Sequence, residues 1–315
     1  MSNIPNNLEY INDLAKNDPA ELIRRSEARF DNILNDIAAR VHKEPGREIV
    51  MLAGPSASGK TTTARKLSEK FAALGMQTHV VSLDDFYLNR EDIPGFAEGN
   101  PDYETVTALD LPLLAATLNH LLTGEETEVP EFDFTVGRRS PEARKIKLGA
   151  GDVIIVEGLH ALNPEVTKDL PGENLLKIYI SVSSRIYNTA GKIVLNKRNL
   201  RFIRRLVRDY QFRASSVENT YKLWENVRRG EDAYLFPYRR FADLSVNSIH
   251  LSAPCLFRDM VIPMLESAEL SGEPRQDADR LVRSLKQFVP VSPALLPEDS
   301  LLREFLGKTG LKNKD

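Results

Sequence analysis

At 315 residues, 42% hydrophobic and 28% charged, the chain has room for one large domain or two small ones and the composition of an ordinary globular protein. A net charge of −3 argues against nucleic-acid binding over the whole surface, and a single cysteine, Cys255, excludes a disulfide framework or a cysteine-based zinc site. The histidines never fall at ligand spacing, the first residues lack the basic start and apolar core of a signal peptide, and no apolar run nears the ~18 residues of a membrane span, so a cytoplasmic protein without a membrane segment is expected.

The first predicted element is a helix opened by Asp18-Pro19-Ala-Glu21, which reads as an N-cap, a proline at the first helical position and a capping-box glutamate. Phe30, Ile33, Leu34, Ile37 and Val41 follow at helical spacing, and Pro45-Gly46 is expected to end the helix. Ile49 to Ala53 then reads as a buried strand. The run Gly54-Pro-Ser56-Ala-Ser58-Gly59-Lys60-Thr61 after it matches G-x-x-x-x-G-K-[ST] at every position. In such a loop the glycines let backbone N–H groups turn inward around a polyphosphate, Lys60 reaches the β/γ-phosphates and the Thr61 hydroxyl can ligate Mg²⁺. The helix predicted from Lys60 to Leu74, with Gly75 as its stop, points its positive end at the same anion. Gly54, Ser56, Ser58, Gly59, Lys60, Thr61 and Thr62 are therefore the candidate nucleotide-binding residues.

Thr78 to Leu83 reads as a second strand running into Asp84-Asp85-Phe86-Tyr87. Acidic residues at a strand end beside a phosphate loop are where an α/β protein keeps its chemistry. Residues 89–105 lack periodicity and form a long loop, and Ala108 to Leu122 forms an amphipathic helix with Gly124 behind it. Val129 to Arg139 reads as an edge segment because of Pro130. Lys145–Leu148 is a short strand feeding the buried strand Val153–Val156, which ends in Glu157-Gly158, and Leu175–Val182 is another strand. Strands alternating with helices predict a mainly parallel, doubly wound α/β sheet. Lys197, Arg198, Arg201, Arg204, Arg205, Arg208 and Arg213 make the most basic stretch, with Arg201, Arg204, Arg205 and Arg208 on one helical face. In a slightly acidic chain this fits a lid closing on ATP phosphates better than a nucleic-acid patch. Ser215-Ser-Val-Glu218 reads as a capping box opening a helix through Trp224, and Ala242 to Ser248 as the last strand. Helices around Met260–Met264, Leu281–Phe288 and Leu301–Leu306 are expected to be structural.

Gly54–Thr62, Ser82-Leu-Asp84-Asp-Phe-Tyr87, Pro130-Glu-Phe-Asp-Phe134, Glu157-Gly-Leu-His160 and Arg204-Arg-Leu-Val-Arg-Asp209 occur in the order seen in uridine kinases of the phosphoribulokinase/uridine kinase family, which the chain resembles over residues 20–310. Phe212-Arg213, Trp224, Val227-Arg-Arg-Gly-Glu231, Phe236-Pro-Tyr238 and Leu301–Gly307 are similar to the bacterial kinase module that often sits behind a TGS domain; the stretch before residue 46 is too short to hold that domain. The resemblance implies a P-loop NTPase fold, ATP and Mg²⁺, and transfer of the ATP γ-phosphate to a nucleoside 5′-hydroxyl, that of uridine or cytidine first. It implies Asp84 as general base, with Asp85 the alternative one position on. It puts Thr61, Glu157 and Asp84 around Mg²⁺, Arg208 and Arg213 on the phosphates, and Arg205 toward the acceptor. The acceptor itself is expected among Tyr87, Asp102 or Glu104, Phe132, Phe134 and Arg139. The chemistry agrees independently, since phosphoryl transfer asks for positioning and charge neutralisation more than covalent work.

The departures lie in the acceptor pocket. Phe132 stands where uridine kinases have a base-contacting tyrosine, Gly137 where they have a histidine, and Ala214-Ser215 where their lid motif has Gly-Arg. Gly137 is expected to leave room where the imidazole would sit. Another small hydroxyl compound such as a sugar phosphate is therefore an alternative acceptor, and an ATP-binding regulatory module without turnover an alternative of a different class. The expected organisation is an N-terminal helical extension (1–46), a kinase domain (47–270) with its lid around 197–215, and a C-terminal helical extension (271–315) packing on it. The expected partner is a small molecule rather than a nucleic acid or membrane, and a homo-oligomer is compatible with all of this.

Overall fold

The computed structural model describes residues 5–44, 46, 49–97 and 102–307; the expected helix stop at Pro45, the middle of the 89–105 loop and everything past 307 lie outside them. Two helices come first, α1 (Leu8–Asn17) and α2 (Pro19–Lys43). α1, short and capped by Asn7, has no counterpart among the elements expected from the sequence. Asp18 caps α2 by accepting the Glu21 N–H at 3.0 Å, a contact worth about 1 kcal/mol. Glu21 does not reach back to close the box; its carboxylate pairs with Arg24 and Arg25 instead.

β1 (Ile49–Ala53) leads through the phosphate loop into α3 (Lys60–Ala72), followed by β2 (Thr78–Ser82) and α4 (Leu111–Leu122). α4 begins three residues later than predicted because the Asp110 carboxylate takes the cap, accepting the Leu113 N–H at 3.1 Å. Four short strands follow, β3 (Thr127–Val129), β4 (Phe132–Asp133), β5 (Arg138–Arg139) and β6 (Arg144–Ile146), paired β3 with β6 and β4 with β5. Then come β7 (Val153–Gly158), α5 (Pro164–Thr167), β8 (Leu175–Ser181) and the pair β9 (Ile186–Tyr187) and β10 (Ile193–Leu195). α6 (Lys197–Phe212) and α7 (Val217–Tyr234) precede β11 (Leu244–Asn247), and α8 (Ala253–Ser267), α9 (Gly272–Leu285) and α10 (Arg303–Leu306) finish the described chain. α7 is capped by Ser216, not Ser215, and runs ten residues past Trp224.

The main sheet has the order β11-β8-β1-β7-β2, with every neighbouring pair parallel. β1 lies at its centre and is buried on both faces, which is why it reads as an unbroken apolar run. Its side chains alternate: Val50 and Leu52 enter the core that includes α2, α3 and α8, while Ile49, Met51 and Ala53 enter the core under α4. Each of the larger ones contributes about 1.5–3 kcal/mol by burial. The first of these cores also takes in Leu8 and Phe30 from the N-terminal helices and Leu301, Leu302 and Phe305 from the far end. Register brings Ala53 beside Gly158, and Ser82 beside Glu157, so the loop after β1, the end of β7 and the turn after β2 meet at one edge. That edge, where β1 and β7 part to connect in opposite directions, is where a doubly wound sheet holds ligands.

Candidate active site

At this edge Ser56, Ala57, Gly59, Lys60 and Thr61 of the loop face a cleft of ≈ 270 Å³ that also takes in Asp84, Tyr87, Glu157, Arg205, Arg208 and Arg213. A second cleft of ≈ 510 Å³ is lined by Asp102, Tyr103, Asn226, Arg229 and Tyr234. Glu104, Arg205 and Val227 belong to both, so the two are continuous. Gly54 and Ser58 support the loop from behind, both buried. Thr62 is engaged by a residue from far along the chain: Glu304 accepts its hydroxyl at 2.7 Å and its N–H at 3.3 Å.

The two aspartates of the β2 turn part company. Asp84 opens into the cleft, whereas Asp85 accepts the Phe132 N–H at 3.3 Å and so anchors β4. Burial raises the Asp84 pKa, against the pull of Lys60 and Arg213. Glu157 lies beside it at the end of β7, accepting from the Thr61 hydroxyl at 3.4 Å and the Ser82 hydroxyl at 3.3 Å. Burial lifts its carboxyl to about 7, with Lys60 pulling down and Asp84 pushing up. Among the described residues no group of three or more His, Cys, Asp or Glu side chains is disposed to hold a metal ion. Thr61, Glu157 and Asp84 do offer the hard oxygen donors, one hydroxyl and two carboxylates, that suit Mg²⁺ when phosphate oxygens and water complete its shell.

The arginines of α6 divide by face. Arg204 turns inward, 1% exposed, donating to the Ser248 carbonyl at 2.7 Å and lying 5.5 Å over the Phe305 ring. It is a core residue, not one of the phosphate-facing cations its spacing suggested. Leu200, Phe202, Ile203, Leu206 and Val207 bury the same helix, so α6 is a packed wall rather than a loose flap. Arg205, Arg208 and Arg213 point to the cleft and converge on the buried Asp209, with nitrogen–oxygen distances of 3.0, 3.0 and 3.6 Å. Burial, and then the neighbouring arginines, lower the pKa of Arg205 and Arg213, against the pull of Asp209. Beyond Arg213 the chain turns through Ala214 at φ 47, a left-handed conformation for which a glycine would be better suited.

Several residues placed with the acceptor lie elsewhere. Phe132 and Phe134 line neither cleft; with Tyr87 they form an edge-to-face cluster at 5.0 to 6.2 Å, and Phe134 is 61% exposed. The β4–β5 ladder pairs Phe132 with Arg139 and leaves it buried against Tyr87, while Phe134 follows in the exposed turn. Arg139 also misses both clefts, because it pairs with Asp110 at 3.1 Å. Gly137 offers no vacant room: its φ of +70 closes the β4–β5 turn, and a Cβ there would meet Arg90 carbons at 3.1 Å. Tyr87, Asp102, Glu104 and Arg205 are brought to the clefts. Glu104 sits at their junction with its carboxyl lifted to about 7, mainly by burial and then by Glu231, against the pull of Arg205.

Sequence reasoning gives no role to Asp209, Glu231 or Glu304, and reads Arg201 only as one of the lid arginines. Arg201 and Glu231 form a buried ion pair. Glu231 accepts the Ser56 N–H at 2.8 Å, Arg201 donates to the Ser56 carbonyl at 2.9 Å, and Arg205 donates to the Ser56 hydroxyl at 2.9 Å. The phosphate loop is thus gripped at Ser56 by α6 and α7 together. The available signal was charge alone: Asp209 interrupts a basic helix, and Glu231 sits in the Arg-Arg-Gly-Glu run.

A profile of the phosphoribulokinase / uridine kinase family matches residues 49–253. Among curated relatives, a uridine kinase from Deinococcus deserti is 32% identical over 209 residues, spanning 66% of this chain and 91% of its own length. A uridine kinase from Lactobacillus johnsonii is 30% identical over 201 residues, spanning 63% and 85%. Among solved structures, a D-glycerate 3-kinase from Cryptococcus neoformans aligns over 66% of this chain and 87% of its own, at 16% identity and a TM-score of 0.44.

Proposed function

The chain belongs to the phosphoribulokinase/uridine kinase family and is a kinase, and on that premise we propose that it transfers the γ-phosphate of ATP to the 5′-hydroxyl of a nucleoside, uridine or cytidine first. The observation that carries this reading is the joining of two clefts at Glu104 and Arg205, one built around a phosphate loop and the other larger. In this reading Lys60 and the loop amides hold the ATP phosphates, and Arg208 and Arg213 neutralise charge that builds up on the transferred group. Thr61, Glu157 and Asp84 would hold Mg²⁺, which when bound supplies positive charge to the β- and γ-phosphate oxygens.

Asp84 is the group we assign to take the acceptor hydroxyl's proton, because it opens into the phosphate cleft while Asp85 is tied to Phe132. Glu104 and Asp102 face the larger cleft and can accept hydrogen bonds from the two ribose hydroxyls. Asp102 supports its neighbour by accepting the Glu104 N–H at 3.0 Å. No helix among the described residues is long and apolar enough to cross a membrane, and we place the enzyme in the cytoplasm with its ATP.

A second acceptor class is kept by a specific observation. With Phe132 and Phe134 outside the clefts and Arg205 and Arg229 lining the larger one, a sugar phosphate held by those two arginines is the competing substrate. An ADP-release assay with Mg²⁺ and ATP against a panel of nucleosides and sugar phosphates decides between them. Uridine and cytidine are expected within about tenfold of each other in kcat/KM, because few groups are placed to discriminate bases. Turnover of a sugar phosphate with none of any nucleoside would overturn the assignment.

A further inference from the structure

Thr62 lies in the first turn of α3, where a backbone N–H has no partner inside the helix. In a phosphate loop such donors face the ligand's phosphates. Here the Thr62 N–H and hydroxyl both donate to the Glu304 carboxylate, at 3.3 and 2.7 Å. Glu304 lines the same cleft as Lys60 and Thr61.

The carboxylate is delivered by a segment clasped to the loop at several points. Lys66 of α3 meets Asp299 at 2.8 Å, and the Ser300 hydroxyl donates to Glu27 of α2 at 2.6 Å. Leu301 presses against Gly59 so closely that a Cβ on that glycine would come within 2.5 Å of it. Leu301, Leu302, Phe305 and Leu306 are all at most 1% exposed. The backbone around Glu304 is therefore fixed, and only its side chain is free to leave Thr62. Two anions cannot share the same two donors, and Glu157 and Asp84 nearby make a further negative charge there still less welcome.

We infer that Glu304 is a built-in competitor of the nucleotide: its carboxylate occupies donors that a phosphate needs, and must swing off Thr62 before ATP or ADP can seat fully. The inference rests on the loop being a nucleotide site. Its consequence is that substrate and product nucleotides both bind more weakly than the loop alone would hold them, which favours release of ADP.

The test is calorimetric titration of Mg²⁺ and ADP into the wild type, Glu304→Ala, Glu304→Gln and Lys60→Ala, with thermal melts to verify folding. Glu304→Ala is expected to bind ADP about tenfold more tightly than wild type, and the isosteric Glu304→Gln several-fold more tightly. Should the alanine variant fail to fold, the glutamine variant alone carries the test. Unchanged affinity with a lowered melting temperature would show a mere helix cap, and weakened affinity would show that Glu304 helps to hold the ligand; either overturns the inference. Lys60→Ala reports on the underlying reading separately. If it loses ADP while the Glu304 variants match wild type, the nucleotide site stands and the competitor falls. If wild type and Lys60→Ala bind ADP alike, or neither binds, both fall.

Discussion

The adjacent aspartates Asp84 and Asp85 allow the catalytic assignment to be tested at single-residue resolution. Asp84→Asn keeps the shape of the side chain and removes its capacity to take a proton. Among the described residues no donor hydrogen-bonds the Asp84 carboxylate, so the substitution breaks no such contact; only the Asp84 N–H is engaged, at 3.3 Å from the Ser82 hydroxyl. Asp84 is exposed to the cleft and its carboxylate holds no other element in place, so a neutral asparagine should leave stability unchanged. The rate should nonetheless fall by about 10²–10⁴, or roughly 2.7–5.5 kcal/mol of lost transition-state stabilisation, with ATP affinity little changed. Asp85→Asn retains an oxygen that can accept the Phe132 N–H, so it should stay within about threefold of wild-type kcat. ADP release under saturating substrate gives kcat, and calorimetry with ATP gives the affinity. If Asp85→Asn matches the Asp84→Asn loss, or Asp84→Asn stays within about tenfold of wild type, the assignment of Asp84 as base is wrong.

Two further expectations follow from the same edge of the sheet. Glu231→Ala strands Arg201 as a buried unpaired cation and leaves the Ser56 N–H without its acceptor, so urea unfolding should show a loss of about 3–5 kcal/mol. A loss under ~1 kcal/mol would mean that the α6–α7 grip on the loop is not an energetic contact. Glu157, near half-protonated at neutral pH with its carboxyl at about 7, must ionise to ligate a cation, so binding of Mg²⁺ and ADP should release about half a proton at pH 7, more at pH 6 and almost none at pH 9. Calorimetry in buffers of different ionisation enthalpy measures this, and Glu157→Gln should reduce it. By the same linkage a carboxyl raised in the folded state binds more protons folded than unfolded, so Glu157 and Glu104 make the nucleotide-free protein less stable as pH rises from the ordinary 4.5 to about 7. Proton release independent of pH would refute the placement of Glu157.

The elements read most readily from the sequence were those whose pattern is set locally. β1 is a five-residue apolar run because both its faces are covered, and its loop is spelled out by glycines and Lys60-Thr61. The chain between β3 and β6 is harder to read, since two-residue strands carry too few positions for alternation to show, and Gly137, which suggests empty space, serves a left-handed turn. α6 was legible as a helix, but not in which arginines it buries. Spacing puts Arg204 beside Arg201 and Arg205, and only the neighbours from Ser248 and Phe305 show that it faces inward. Ser56, Thr62 and their carboxylate partners were illegible for the simplest reason. The Thr62–Glu304 pair spans 242 positions and Ser56–Glu231 spans 175, and no local pattern encodes either contact.

That 242-residue gap also imposes a timetable. On the ribosome, at about 5–20 residues per second, the phosphate loop is made roughly 12–50 s before Leu301 and Glu304. During that interval Gly59 lacks the leucine that covers it, and the donors of Thr62 lack the carboxylate that fills them. If the loop is the nucleotide site we propose, those donors stand open to a polyphosphate throughout that interval. On that reading the closing segment, made last, is what renders the grip on nucleotide reversible.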